Sequence, residues 1–260
     1  MLEDHHHYKN ASHRRNLQSI VRNAIRITLD TNDFNSIKAT TNGEPQTTTI
    51  NLSFLRKSML VVQTFLQTRL KVSTISRVFA PALCVDFGPS ANDVSNGISA
   101  SDLHIYVRYV TDNTAAYGYS ATGKSCKYVT SRTLPDTTLQ QGRPTVGRII
   151  FNTYNIIDRQ TSLTNRLFAE VTTTAMHETI HIVGFDSSLY SSYLNPATGN
   201  VYPLFINESV TLDAGRTGGN NYILKTPFVT AWAKSFFACT SLTGMALENE
   251  ETTPGIGSHW

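Results

Sequence analysis

Two histidines four residues apart, with a glutamate directly after the first, constrain this chain more than any other stretch: His177-Glu178-Thr179-Ile180-His181. The spacing has a purpose only on a helix, where side chains at i and i+4 leave one face about 40° apart. Both imidazoles then reach one metal ion. Glu178 stands between them, where a carboxylate can take a proton from a metal-bound water. The motif supplies two ligands and a base. A catalytic zinc takes three protein ligands, so one more has to come from elsewhere in the chain.

The neighbouring residues predict the helix that the motif requires. Leu163, Leu167, Val171 and Ala175 recur every four residues, and Ile180 and Val183 extend the apolar content. Thr161, Ser162 and Thr164 are N-cap candidates, and Gly184 is a natural stop. Histidine usage points the same way. His5, His6, His7 and His13 lie in an N-terminal tail, which leaves His104, His177, His181 and His259 for the body. A body so sparing of imidazole that places two of four in this pattern is using them, and the expected cofactor is one zinc ion.

Composition narrows the remaining classes. The chain has 260 residues, 40% hydrophobic and 16% charged, enough to bury one large core or two small ones. The net charge is +3, with no lysine- and arginine-rich stripe interleaved with aromatics, so nucleic acid is not an expected partner. The longest apolar run in the first half, residues 59–62, is far short of a membrane span. Met1 is followed by Leu2-Glu3-Asp4-His5-His6-His7, which is no signal peptide. Membrane association is therefore expected only through segments missing from this sequence. Cys84, Cys126 and Cys239 are an odd count without Cys-x-x-Cys spacing. They read either as three buried thiols or as one disulfide plus a cysteine whose partner is absent. Asn10, Asn51 and Asn207 head Asn-x-Ser sequons, in keeping with a secretory route.

Along the chain, residues 1–19 read as a polar tail or a prodomain remnant, and 24–29 alternate as a strand. Residues 31–49 are loop-like. Leu52, Leu55, Met59, Val62, Leu66 and Leu70 form a helical stripe whose role is core packing. Residues 72–79 predict a second strand. Leu103-His104-Ile105-Tyr106-Val107-Arg108-Tyr109-Val110 is a strong β segment, and His104 reads as a strand side chain rather than a metal ligand. Gly142-Arg143-Pro144 announces a turn before a strand over 146–152. Strand, helix, strand, strand, strand, helix implies an α+β domain with a mixed sheet. Beyond Phe185 the pattern dissolves: 195–199 and 215–221 read as loops, 226–239 as helical.

Three residues compete as the third ligand. Asp186 lies nine residues after His177, whereas the compact pattern uses the tenth, here Ser187. Glu208 would suit a zincin class that takes a glutamate from a later helix, but its surroundings do not make a convincing helix. His259, in a Gly-rich turn, would complete a three-histidine site, and this is the preferred set. Gly184, three residues after the second histidine, allows a sharp turn beneath the metal.

At this point the chain resembles the leishmanolysin family, metzincin endopeptidases whose third histidine is displaced by a long insertion. The resemblance rests on His177-Glu-Thr-Ile-His-Ile-Val-Gly-Phe185, on Gly142-Arg-Pro-Thr-Val-Gly147 with Ile149-Ile150-Phe151-Asn152, on Ser101-Asp102-Leu103 to Val110, and on Gly257-Ser258-His259. It implies a mixed twisted sheet with an edge strand over the cleft, a backing helix, the active helix and an irregular insertion. It implies a zinc-dependent endopeptidase acting on proteins or peptides, outside the cell or at its surface. His177, His181 and His259 would bind zinc, and Glu178 would be the base. Leu103, His104, Ile105 and Tyr106 would form the edge strand that pairs with substrate, and Cys84 would bond Cys126. Cys239 resembles a cysteine whose partner lies beyond the third histidine. The implied organisation is a catalytic subdomain over 20–184 and an insertion over 185–260. The sequence stops before the family's methionine-bearing turn and C-terminal domain, so a fragment is expected. Two rival readings remain: an inactive or truncated homologue serving in adhesion, and a protease with Glu208 as third ligand.

Overall fold

The computed structural model of the chain describes residues 22–38, 47–112, 118–129, 142–186, 189–190, 193, 205–209 and 220–247. The elements run β1 (Asn23–Ala24), β2 (Ile27–Asp30), α1 (Thr49–Arg69), β3 (Lys71–Val72), β4 (Arg77–Val78), α2 (Ala91–Ser95), β5 (Ile98–Ser99), β6 (Leu103–Val110), β7 (Ala121–Tyr128), β8 (Pro144–Asn152), α3 (Asn165–Val183), β9 (Phe205–Ser209), β10 (Asn220–Leu224), α4 (Pro227–Phe236) and β11 (Met245–Ala246).

The main sheet has the order β2-β6-β8-β7. β6 runs parallel to both β2 and β8, and β7 closes the sheet antiparallel to β8. This is the expected α+β class with a mixed sheet. Helices α1 and α3 lie side by side on one face. Leu52, Leu55, Met59, Val62 and Leu66 of α1 meet Leu103, Ile105, Val107, Ile149 and Phe151 of the sheet and Leu167, Val171, Ala175 and Ile182 of α3 in one core. The stripe spacing of both helices is the sequence cause of this layer. Thr48 caps α1 by accepting from the Asn51 amide, and Thr164 caps α3 by accepting from the Leu167 amide at 3.1 Å.

The other face of the sheet is covered too. Val78, Ala80, Tyr106 and Val146 form a second cluster, with Phe87, Val94 and Cys126 packed against it. Arg148 is buried on β8 and ion-paired with Asp86. Cys84 and Cys126 are joined in a disulfide that ties this covering segment to β7. Coverage on both sides explains why β6 is almost wholly buried instead of alternating.

Three expectations are corrected here. Leu103, His104, Ile105 and Tyr106 belong to an interior strand, not an edge strand, because β6 is hydrogen-bonded to a neighbour on each side. Its near-continuous apolar run is the mark of a central parallel strand. The single strand expected over 72–79 is replaced by the two-residue strands β3 and β4, over 71–72 and 77–78, because side chains capture the backbone between them. Ile75 N–H donates to Asp102, Arg26 donates to the Ile75 carbonyl, and Arg143 donates to the Ser73 carbonyl. Third, the region after the active helix is not merely irregular: β11-β10-β9 make an antiparallel sheet, with α4 beside it. Its strands lack alternation, as Asn207-Glu208-Ser209 and Asn220-Asn221 show, so their pairing is a tertiary fact.

Asp102 organises the start of β6. Its side chain is fully buried and receives the Arg26 guanidinium at 2.8 Å together with the Arg26 and Ile75 amides. Burial pushes its pKa up, but these donors more than offset that and hold the carboxyl below its ordinary value.

Candidate metal centre

The site is built at the C-terminal end of α3. The helix can approach the sheet closely because the strands beneath it carry glycine. A Cβ placed on Gly123 of β7 would lie 2.2 Å from the Glu178 carbonyl oxygen, and one on Gly147 of β8 would lie 2.3 Å from Ile182 Cγ2. Glu178 and His181 are buried there, while His177 is exposed.

The two imidazoles converge. His177 Nε2 and His181 Nε2 are 3.1 Å apart, with the rings nearly perpendicular. Nitrogens bound at about 2.0–2.1 Å to one tetrahedral ion stand roughly 3.3 Å apart, so the pair fits zinc with a shift of a few tenths of an ångström. The second ring nitrogen of His181 is engaged as well. Nδ1 lies 2.7 Å from the Phe185 carbonyl oxygen. A carbonyl only accepts, so the proton sits on Nδ1 and the Nε2 lone pair is left facing His177.

Gly184 makes that contact available. Its φ of 134° lies in the region where a side chain is strained, and it ends the helix. The chain folds back there, with Phe185 N–H bonded to the Ile180 carbonyl.

A family model described as leishmanolysin matches residues 48–260, well over half the chain. The chain belongs to the leishmanolysin family. Leishmanolysins are zinc metalloproteases, which accords with the donor set that α3 presents. No curated protein matches this leishmanolysin-family chain.

The remaining site residues distribute as follows. Among the described residues no three His, Cys, Asp or Glu side chains gather into a metal-binding group, so Asp186 does not join the histidine pair. His259 lies outside the described residues, as do Ser187 and the tail over 1–19. Glu208 lies on strand β9, opposite Asn221 of β10, and not on the helix from which a glutamate-donating zincin draws its ligand. His104 is buried under the opposite face of the sheet, bonded through Nδ1 to Thr28 Oγ1 at 2.7 Å and packed edge-on against Tyr106. Burial holds its pKa below the ordinary imidazole value.

The element that sequence reasoning missed is β7. It flanks the active helix and pairs, among the described residues, only with β8. Its sequence, Ala-Thr-Gly-Lys-Ser-Cys-Lys-Tyr, has no apolar alternation. The usable signal is the presence of two lysines and a glycine, which suits an edge strand. A bulge between Ser125 and Lys127 leaves Cys126 without a ladder partner at the point where the disulfide attaches.

Proposed function

We propose that this chain is a zinc-dependent endopeptidase that hydrolyses peptide bonds in proteins. The observation that carries the proposal is the convergence of His177 Nε2 and His181 Nε2 on one point, with His181 Nδ1 against the Phe185 carbonyl oxygen. His177 and His181 would hold the ion, and His259 would complete the three-histidine set that the family resemblance implies. Zinc, when bound, supplies a Lewis acid that polarises the scissile carbonyl and acidifies water.

The chain's own residues do the rest. Glu178 accepts a proton from the attacking water and delivers it to the departing amine nitrogen. The Glu178 backbone is seated against Gly123, so the helix turn that carries the base lies beside β7. An extended substrate would add to β7 by strand pairing along Gly123, Lys124 and Ser125, where backbone groups give affinity and alternate side chains give selectivity. The Cys84–Cys126 disulfide supports an extracellular or cell-surface location. No described helix is long and apolar enough to cross a membrane.

The test is metal removal and return. Dialysis against a chelator should abolish hydrolysis of an unfolded protein substrate, and one equivalent of zinc should restore it. Turnover that survives complete zinc removal would sink the proposal. Zinc affinity in His259→Ala and Glu208→Ala then identifies the third ligand: the loss should fall on His259→Ala alone.

A further inference from the structure

The turn that closes the active helix is gripped from outside the catalytic sheet. Tyr193 donates its hydroxyl to the Gly184 carbonyl at 2.6 Å. Its ring meets Tyr190 edge-on at 5.4 Å, and Tyr190 meets Phe185 in the same way at 5.7 Å. Tyr190 is completely buried and forms an apolar cluster with Leu224 of β10 and Leu247, against which Phe185, Tyr193 and Val229 of α4 pack. Two consecutive residues are thereby fixed, Gly184 through its carbonyl and Phe185 through its ring.

Those two residues decide what His181 can do. The Phe185 carbonyl is the acceptor that keeps the proton on His181 Nδ1. Gly184 has no Cβ to restrict its backbone, so beside the turn's own Phe185 N–H to Ile180 carbonyl bond the Tyr193 hydroxyl adds a hold from outside that limits where the Phe185 carbonyl can stand over the ring. Histidine ligands depend on such outer partners for their tautomer and ring orientation.

The geometry points to Tyr193 as a positioning residue. Anchored by the cluster that β10 and α4 contribute, it holds the Gly184–Phe185 turn and through that turn fixes the tautomer of His181. The module that follows the active helix is thus mechanically coupled to the candidate metal centre. The consequence for zinc rests on the proposed function, whereas the tautomer is a property of the metal-free chain.

The experiment is nitrogen-15 NMR of the metal-free full chain labelled at histidine, with the His181 signals identified by their loss in His181→Gln. The wild type should show the Nδ1–H tautomer at His181. Tyr193→Phe, which deletes one hydroxyl and keeps the ring, should mix the tautomers and weaken zinc binding about 10-fold, measured by chelator competition. A purely structural tyrosine would lower the melting temperature and leave both readouts unmoved, which would overturn the proposal. So would a wild-type His181 that carries its proton on Nε2. If Tyr193→Phe does not fold, Val229→Ala loosens the same cluster from α4, and an unchanged tautomer in that variant overturns the proposal as well. Zinc binding nowhere in the wild type would refute the proposed function, while the tautomer measurement would still decide the role of Tyr193.

Discussion

Gly123 of β7 lies directly beneath the carbonyl of Glu178, so close that a methyl group there would fall 2.2 Å from the oxygen. Backbone faces backbone at this contact, and no rotamer change can relieve an added atom. Gly147 differs, because its nearest neighbour is a side-chain methyl of Ile182. Gly123→Ala should therefore cost about 1–3 kcal/mol or more, the usual range for overpacking, and displace the active helix from the edge strand. Gly147→Ala should cost less and leave zinc affinity closer to wild type. Urea unfolding and zinc titration of the two variants check the ranking, and equal losses would contradict it.

The disulfide should matter for stability. Cys84 and Cys126 are 42 residues apart, a loop whose closure corresponds to about 4 kcal/mol in the chain-entropy view. The double variant Cys84→Ser, Cys126→Ser should lose roughly 2–4 kcal/mol of unfolding free energy. It should also raise KM for extended substrates, since the bond anchors the bulged end of β7. The variant is a cleaner probe than a thiol reductant, which would compete for zinc. Unchanged stability would show that the covering segment holds without the bond.

His104 gives the fold a pH dependence. Desolvation by burial is the main cause of its lowered pKa, with Arg108 adding to it against the opposing pull of Asp30 and Asp93. The unfolded chain, with an imidazole pKa of about 6.5, binds the proton first as pH falls. The stability contributed by a neutral buried His104 is thus fully present above that value and is lost as pH falls towards the lower folded pKa. His104→Gln should flatten this part of the profile. Unfolding free energies at pH 8 and pH 5 for both proteins give the comparison, and parallel profiles would contradict the assignment.

The parts of the fold legible in the sequence are those whose pattern is local. Helices α1 and α3 follow from stripes that become the core, and β6 and β8 follow from β-branched runs buried on both faces. The Thr164 cap and the Gly184 stop were equally readable. What escaped depends on partners distant in sequence. β7 is a strand because β8 pairs with it and α3 lies over it, and its polar residues show neither fact. Residues 73–75 leave the ladder because Asp102 and two arginines take their backbone groups, which no local window contains. At the site, the His177–His181 pair was plain from spacing. The hold that Phe185 and Tyr193 exert on it arises from tertiary contacts after the helix.

In the proposed function His177 and His181 hold zinc while Glu178 moves the proton. The direct measurement is peptide hydrolysis alongside bound zinc in the wild-type chain and in Glu178→Ala. One zinc per chain is expected in both proteins, with turnover in the wild type and a loss of at least ~10²-fold in the variant, the scale of general-base catalysis. Hydrolysis that persists unchanged in zinc-loaded Glu178→Ala would contradict it.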